Sequence, residues 1–401
     1  MAHIMLFDDQ IRDHLLPFTF TRPVGELRIG ALTIREKWER WMDMPVCFIT
    51  QDYLARKYPI DEAEESFIIN GSVLPSPQLC ALLRQMEFGE AFLDGDQLIA
   101  AKLSAKQLDQ LVEEEYFEEV HGFDLENTEY VQIKHLWDLY GKNGYAIEQD
   151  FELLTRGRKS EELPPSNQLI GDPARLFIEA GARVEGSLIN VKHGPVYLGR
   201  EAEVMEGCLL RGGLCIGAGA TLKMGTKIYG PTTIGPHCRI GGEVKNSVFY
   251  GNSNKSHDGY LGNSVIGEWC NLGADTNASN LKNTLSEVKL WNYQTEYFKP
   301  TGEQFCGLFM GDHSKCGINS MFNTGTVVGL CANIFGGGFP PRFIPSFTWG
   351  GAGGLQSYEV DKAFESMERM MALRNLELGL EDRLILLRIF EDTARYRGEE
   401  V

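Results

Sequence analysis

Apolar residues recur at every sixth position through a long central stretch of the chain. Leu198, Val204, Leu210, Ile216, Leu222, Ile228, Ile234 and Ile240 follow one another at that spacing. The register reappears at Tyr260, Ile266 and Leu272, again from Met310 through Cys316, Phe322 and Val328 to Ile334, and earlier at Ile178 and Val184. A helix would repeat at 3.6 residues and a half-buried strand at two. Six residues make one short strand and one bend, so three hexapeptides close a triangular coil. The apolar residue of each then points inward, above its equivalent one coil below. Glycine follows the apolar position at Gly217, Gly235, Gly241, Gly267, Gly273, Gly311, Gly317 and Gly329, as suits corners where a Cβ would clash. The pattern predicts an all-β parallel β-helix over residues 169–350. It lapses at 246–259 and at 280–308, which are read as loops leaving the solenoid, and such loops usually carry function.

The flanking segments follow other periods. Residues 1–155 read as a mixed α/β domain, with short strands at Ile4–Phe7, Val46–Thr50 and Phe67–Ile69 between helical patterns at Leu32–Trp41 and Ser76–Phe88. Ser76-Pro77 has the form of an N-cap followed by proline in the first turn, and the alternation predicts a parallel sheet. Residues 156–168, charged and with two prolines, read as a linker, and 351–401 as a tail of about two helices. The acidic run 112–120 reads as a solvated helix face.

Composition narrows the function. A net charge of −18 argues against nucleic acid, which needs a basic footprint, so a phosphate-bearing ligand would need a local basic pocket. No run of apolar residues is long enough for a membrane span. The first residues are acidic where an export signal would be apolar. The nine scattered cysteines suit reduced thiols and a cytoplasmic protein better than a disulfide framework.

The strongest chemical signal surrounds the first lapse. Glu243-Val244-Lys245, then Lys255-Ser256-His257-Asp258-Gly259-Tyr260-Leu261-Gly262, then Asn271-Leu272-Gly273-Ala274 resemble the EVKKA, GHxTYLG and NIGAGT runs of the bifunctional family that makes UDP-N-acetylglucosamine, in its acetyltransferase half. Asp258-Gly259 beside the histidine and Asp275 after Ala274 depart from that pattern. The resemblance implies a left-handed β-helix, the hand of the hexapeptide-repeat transferases. It also implies acetyl-CoA as co-substrate, with His257 as the base that deprotonates the amine of a sugar phosphate. A histidine, titrating near neutrality, suits that task. Lys245, Lys255, Tyr260 and Asn271 would hold the sugar phosphate, and the backbone at Ala274 would line the pantetheine arm. A zinc site built from His193, His237, His257 and His313 is disfavoured, because their spacings lack the close second pair that such sites use.

The N-terminal run FDD…LLPFTFTRPVGELRIG…REKW resembles a divergent, alternative bacterial form of the same family's nucleotidyltransferase half. The family's Gly-rich loop, lysine and aspartate are replaced by Asp8-Asp9-Gln10, by Val24 and by Asn70-Gly71-Ser72. In their place Arg12, Arg22, Arg28 and Arg35, with Asn70, are expected near the phosphates, and Asp8 and Asp9 near a Mg2+ ion. The resemblance spans nearly the whole chain. It implies uridylyl transfer from UTP to N-acetylglucosamine 1-phosphate, preceded by acetyl transfer to glucosamine 1-phosphate, in a homotrimer. Two rivals stand beside it: a nucleotidyltransferase of other specificity, such as thymidylyl transfer, with a structural β-helix, and a non-catalytic sugar-nucleotide-binding scaffold.

Overall fold

The computed structural model describes residues 2–61, 65–114, 120–125 and 128–398. The expected acidic face at 112–120 lies largely outside the described residues. The chain forms two compact units. The first comprises Met1–Leu15, Thr19–Leu27 and Leu32–His135; the second comprises Leu16–Phe18, Arg28–Ala31 and Leu136–Val401.

In the first unit the apolar strand Ala2–Phe7 lies between Val46–Ile49 and Glu65–Asn70, parallel to both. The sheet continues through Gln97–Ser104, Glu90–Asp94 and His121–Asp124. Its second half includes antiparallel pairs, so the sheet is mixed rather than all parallel. Helix Ile34–Met42 opens with a capping box between Thr33 and Glu36, which satisfies two of the amide donors left open at a helix start. Helix Pro77–Leu83 is capped by Ser76. The parallel strands end at Phe7, Ile49 and Asn70, and the crevice beyond such carboxyl ends is where open α/β sheets bind ligands.

The second unit holds the parallel β-helix anticipated from the six-residue period, with the left hand that the resemblance implies. Its three faces contain eight, nine and ten strands. Face one runs from Gln168–Ile170 to Met321–Phe322, face two from Leu176–Ile178 to Phe343–Ile344, and face three from Arg183–Val184 to the hairpin Thr348–Gly351 with Gly354–Ser357. The register explains the period, since every third hexapeptide stacks on the same face. Leu198, Ile216 and Ile234 pair in turn on face two, and Val204, Leu222 and Ile240 on face three. Leu210 and Ile228 pair on face one. All are buried in one interior core. Every coil from Glu201 onward turns from face two to face three through a residue in the left-handed region: Glu201, Gly219, His237, Asn252, Trp269, His313, Cys331 and Phe347. Each gives its N–H to a carbonyl of the coil before.

Two expectations need correction. Residues 246–259 do not leave the solenoid: Val248–Phe249 and Asn254–Lys255 continue faces two and three in register. The sequence period lapses there because coil length drops below 18, Ile228 pairing with Val244 and Val244 with Leu261. An apolar file on face three also receives a lysine, Lys255, stacked on Ile240. For the same reason Tyr260 is not interior; Leu261 fills that slot and Tyr260 faces outward. The second lapse is a true excursion. Between Asn277–Ala278 and Leu308–Met310 the chain leaves the corner between faces one and two, forms the hairpin Lys289–Asn292 with Tyr297–Pro300, and returns. The tail forms helices Val360–Ala372 and Leu380–Asp392, the first burying Ala363, Phe364, Met367 and Met371 along one side.

Candidate functional site

In the second unit a cleft of about 530 Å³ lies along the corner from face three to face one, where the glycine-rich bends of successive coils stack. His257, Asp258 and Asp275 line it, together with Lys223, Met224 and Ala274. His257 is exposed on the bend between Asn254–Lys255 and Tyr260–Gly262, so its ring is open to a ligand. Of the other residues expected in this site, Ala274 shares the cleft.

Lys245 and Tyr260 stand on the outward side of face one, which begins at that corner. Glu243 pairs with Tyr260 and Lys245 with Gly262, so the two side chains occupy adjoining columns. The Tyr260 hydroxyl accepts a hydrogen bond from Asn280 Nδ2 at 3.1 Å, and burial raises its pKa, so the phenol stays a neutral donor. The hydroxyl also lies over Gly262, where a Cβ would strike it. The Lys245 ammonium sits 5.9 Å from the Tyr229 ring centroid and 5.7 Å from that of Phe305, within cation–π range. Tyr229 is itself tied to Glu243 by a 2.6 Å hydrogen bond. Phe305 belongs to the returning arm of the excursion and bridges to Leu281, while its carbonyl accepts from the Tyr140 hydroxyl at 2.9 Å. Neither aromatic partner of Lys245 was legible in the sequence, since Phe305 lies sixty residues downstream inside an irregular loop.

Asn271 projects from face three, in register with Asn254 and Lys315. The expected set therefore straddles one edge of the prism: Asn271 on one side, His257 on the edge, Tyr260 and Lys245 on the other. Lys255 is placed differently. Its side chain points into the prism and is 1% exposed, its ammonium bonded to the carbonyls of Gly241 and His257 at 3.1 and 2.9 Å. Burial lowers its pKa to about 8, against the opposing pull of Asp258 and Asp275.

In the first unit a cleft of about 540 Å³ is lined by Asp9, Gln10, His14, Asp96, Gln97, Lys134 and His135, over a floor of Phe7, Ile11 and Leu98. Asp9 is held firmly. Its Oδ1 accepts from the Ile11 amide at 2.9 Å, and its Oδ2 accepts from Asn70 at 2.8 Å and Gln97 at 2.9 Å. Asn70 is fixed in turn by Ser72, to which Gln132 donates. The His14 and His135 rings stack with centroids 5.7 Å apart. Asp8 does not reach this cleft. Its buried carboxylate accepts from the Val24 amide at 2.8 Å and the Thr50 hydroxyl at 2.6 Å, and burial lifts its pKa to about 6.

The arginines of the sequence reading are engaged elsewhere. Arg12 is buried and donates to the Thr19 carbonyl at 2.8 Å and to the Tyr53 hydroxyl. Arg22 is buried beside Thr21, and Arg35 pairs with Glu26 and Glu39. Arg28, in the second unit, donates to the Ala31 carbonyl at 2.6 Å. Lys134 and the two histidines, not the arginines, supply basic groups to the cleft. Nothing in the linear sequence marks residues 14, 97 and 135 as neighbours. Among the described residues no group of three or more His, Cys, Asp or Glu could hold a metal ion. Mg2+, however, is commonly held by one or two carboxylates and substrate phosphates. Asp9 and Asp96 fit that lighter requirement; Asp8 does not.

Residues 4–159 match the family model described as sugar nucleotidyl transferase. Parts of the chain are similar to bifunctional GlmU proteins. The chain is 36% identical over 102 residues to the bifunctional sugar-1-phosphate nucleotidylyltransferase/acetyltransferase of Sulfurisphaera tokodaii, covering 25% of each chain. It is 30% identical over 163 residues to the bifunctional protein GlmU of Geotalea uraniireducens, covering 35% of each. The chain thus spans between a quarter and about a third of the length of these curated relatives. Among solved structures it aligns with an Arabidopsis UDP-N-acetylglucosamine acyltransferase at 14% identity, covering 59% of this chain and 93% of that one, with a TM-score of 0.23. The kind of function that the family match and the sequence relatives support is that of a transferase. Among the described residues no helix is long and apolar enough to cross a membrane.

Proposed function

We propose that the chain is a bifunctional sugar-phosphate transferase of the cytoplasm. Residues 169–350 would acetylate glucosamine 1-phosphate from acetyl-CoA, and residues 1–155 would join the product to UMP from UTP. The observation that carries the first half is His257, exposed on a cleft at the edge where Lys245 and Tyr260 begin the adjoining face.

The sugar's ammonium must lose a proton before it can attack a thioester. His257 takes that proton, the nitrogen bonds to the acetyl carbon, the carbon–sulfur bond breaks, and the thiol leaves protonated. General-base assistance of this kind contributes about 10² to 10⁴ in rate. Lys245 supplies a point charge for the phosphate, oriented by the two rings beside it. Tyr260 adds a neutral hydroxyl, and the Ala274 bend, which lacks a bulky side chain, leaves room for the pantetheine arm.

The second half is supported by Asp9, fixed by three donors at the end of the first strand, facing Lys134 and the stacked histidines. Asp9 and Asp96 would hold Mg2+, which neutralises triphosphate charge when bound. Lys134 would attract the phosphates, and Asn70 and Gln97 would keep Asp9 oriented. The arginines Arg12, Arg22 and Arg28, already engaged, would act by bracing the surrounding loops.

The test supplies acetyl-CoA, glucosamine 1-phosphate, UTP and Mg2+ to the full chain and reads thiol and pyrophosphate separately. His257→Ala should lower thiol release at least a hundredfold and leave pyrophosphate release from added N-acetylglucosamine 1-phosphate unchanged. Thiol release that survives the substitution removes the histidine from its role. No pyrophosphate from the wild type excludes the uridylyl assignment.

A further inference from the structure

Lys255 occupies a place that every neighbouring coil gives to a small or apolar side chain. Face three stacks Val204, Leu222 and Ile240 below it, and Leu272, Cys316 and Ile334 above. A lysine in that file brings an ammonium into the prism, and an ion without partners is not tolerated there. Its partners are two carbonyl oxygens, of Gly241 and of His257. Both belong to the bends that line the cleft. Two further carbonyls of the His257 bend are taken by the coil ladder: Asp258 O accepts from Asp275, and Gly259 O from Glu243. The His257 carbonyl is bonded from inside, by the lysine. Gly242 completes the fit, since a Cβ there would meet the ammonium at 2.9 Å.

We infer that Lys255 is a positioning residue, an internal peg that ties the His257 backbone to the preceding coil and so fixes the imidazole on the cleft. This rests on the reading of His257 as the base for acetyl transfer. Leucine or isoleucine in the same slot would pack equally well but would leave the bend held at its two later carbonyls only, with the histidine's own peptide unit free to rock. Lys255 would therefore touch neither substrate. The groups facing its ammonium are the carboxylates of Asp258 and Asp275, the thiol of Cys316 and the two carbonyls.

Two measurements on the full chain test this. Hydrogen exchange read by mass spectrometry follows the amides of 256–262 against those of the flanking coils. Acetyl transfer to glucosamine 1-phosphate follows the thiol released. With Lys255→Met, exchange at 256–262 should rise at least tenfold while the flanking coils are unchanged. The turnover number should fall tenfold or more, with the KM for acetyl-CoA within about twofold of wild type. Lys255→Leu should behave alike. Lys255→Gln, which can still donate to a carbonyl from inside the prism, should loosen the bend less than either apolar variant and keep more of the turnover. That polar variant decides the matter even if both apolar variants fail to fold. Unchanged exchange at the bend, or a loosened bend with full turnover, overturns the inference. A wild type that releases no thiol, with exchange at the bend still governed by Lys255, overturns the acetyltransferase reading and leaves the peg in place.

Discussion

At the scale of single residues, the two units place charge in protected positions and oppose it there. Asp8 is the clearest case in the first unit. Its folded pKa, about 6 against an ordinary 3.8, means the folded state binds the proton more tightly than the unfolded one. Stability from this group is present in full below pH 3.8 and is lost as pH rises through 6. A shift of that size corresponds to up to about 3 kcal/mol. Asp8→Asn should therefore keep or raise the melting temperature at pH 7 and flatten the stability profile between pH 4 and 6, as read by thermal unfolding. Lys255 has the opposite sign. Its folded pKa is depressed, so the folded state is penalised at neutral pH and relieved as pH rises from 8 toward 10.5. Replacing it with Met should leave global stability equal or higher at pH 7, because a packed apolar isostere commonly outperforms a buried ion. These are also the residues where sequence reading fell short. Asp8 looks like a ligand in the linear chain and proves to be a loop brace. Lys255 reads in the linear chain as a loop residue that would hold the sugar phosphate, because a sequence period cannot distinguish a lapse in the coil from a polar side chain inside it.

At the scale of elements, the six-residue period was legible because each coil repeats one physical problem, an inward side chain followed by a bend. Val204 through Ile240 could be assigned to the interior without a structure, and truncating one of them, Ile228→Ala, should cost about 2 to 5 kcal/mol, read as a lowered denaturation midpoint with an unchanged slope. The 16- and 17-residue coils around Val244 and Leu261 were not legible, and Tyr260 was misassigned for that reason. The excursion between Ala278 and Leu308 also changes standing. It was visible as a lapse, and it carries Phe305, whose ring centroid lies 5.7 Å from the Lys245 ammonium. Phe305→Ala should leave the fold intact, raise the KM for the sugar phosphate severalfold and change turnover less, because the ring orients a binding group and not the base. Steady-state kinetics with the acceptor varied will separate the two effects. In the first unit the strands and the Ser76 cap could be read locally, whereas its cleft joins Asp9, Gln97 and His135, positions that only the sheet order brings together.

At the scale of the whole molecule, the prism edge carrying His257 has Asn271 on one side and Tyr260 on the other. The resemblance of the motifs implies an assembly of three copies, and light scattering should then give a mass near three times 45.0 kDa. A monomer with full acetyl transfer would exclude a site shared between prisms. The corner from face two to face three has a further consequence. From Glu201 to Phe347 each coil spends one left-handed residue there and bonds it to the coil before, so the corner behaves as the teeth of a rack. An additional 18-residue coil spliced between Glu201 and Gly219 would advance everything beyond it by one strand spacing, about 4.8 Å, without altering the bends around His257. The β-helix is in that sense a graduated rod, and evolution or an engineer can slide its chemistry along the axis in fixed steps while the machinery at the sliding point stays whole.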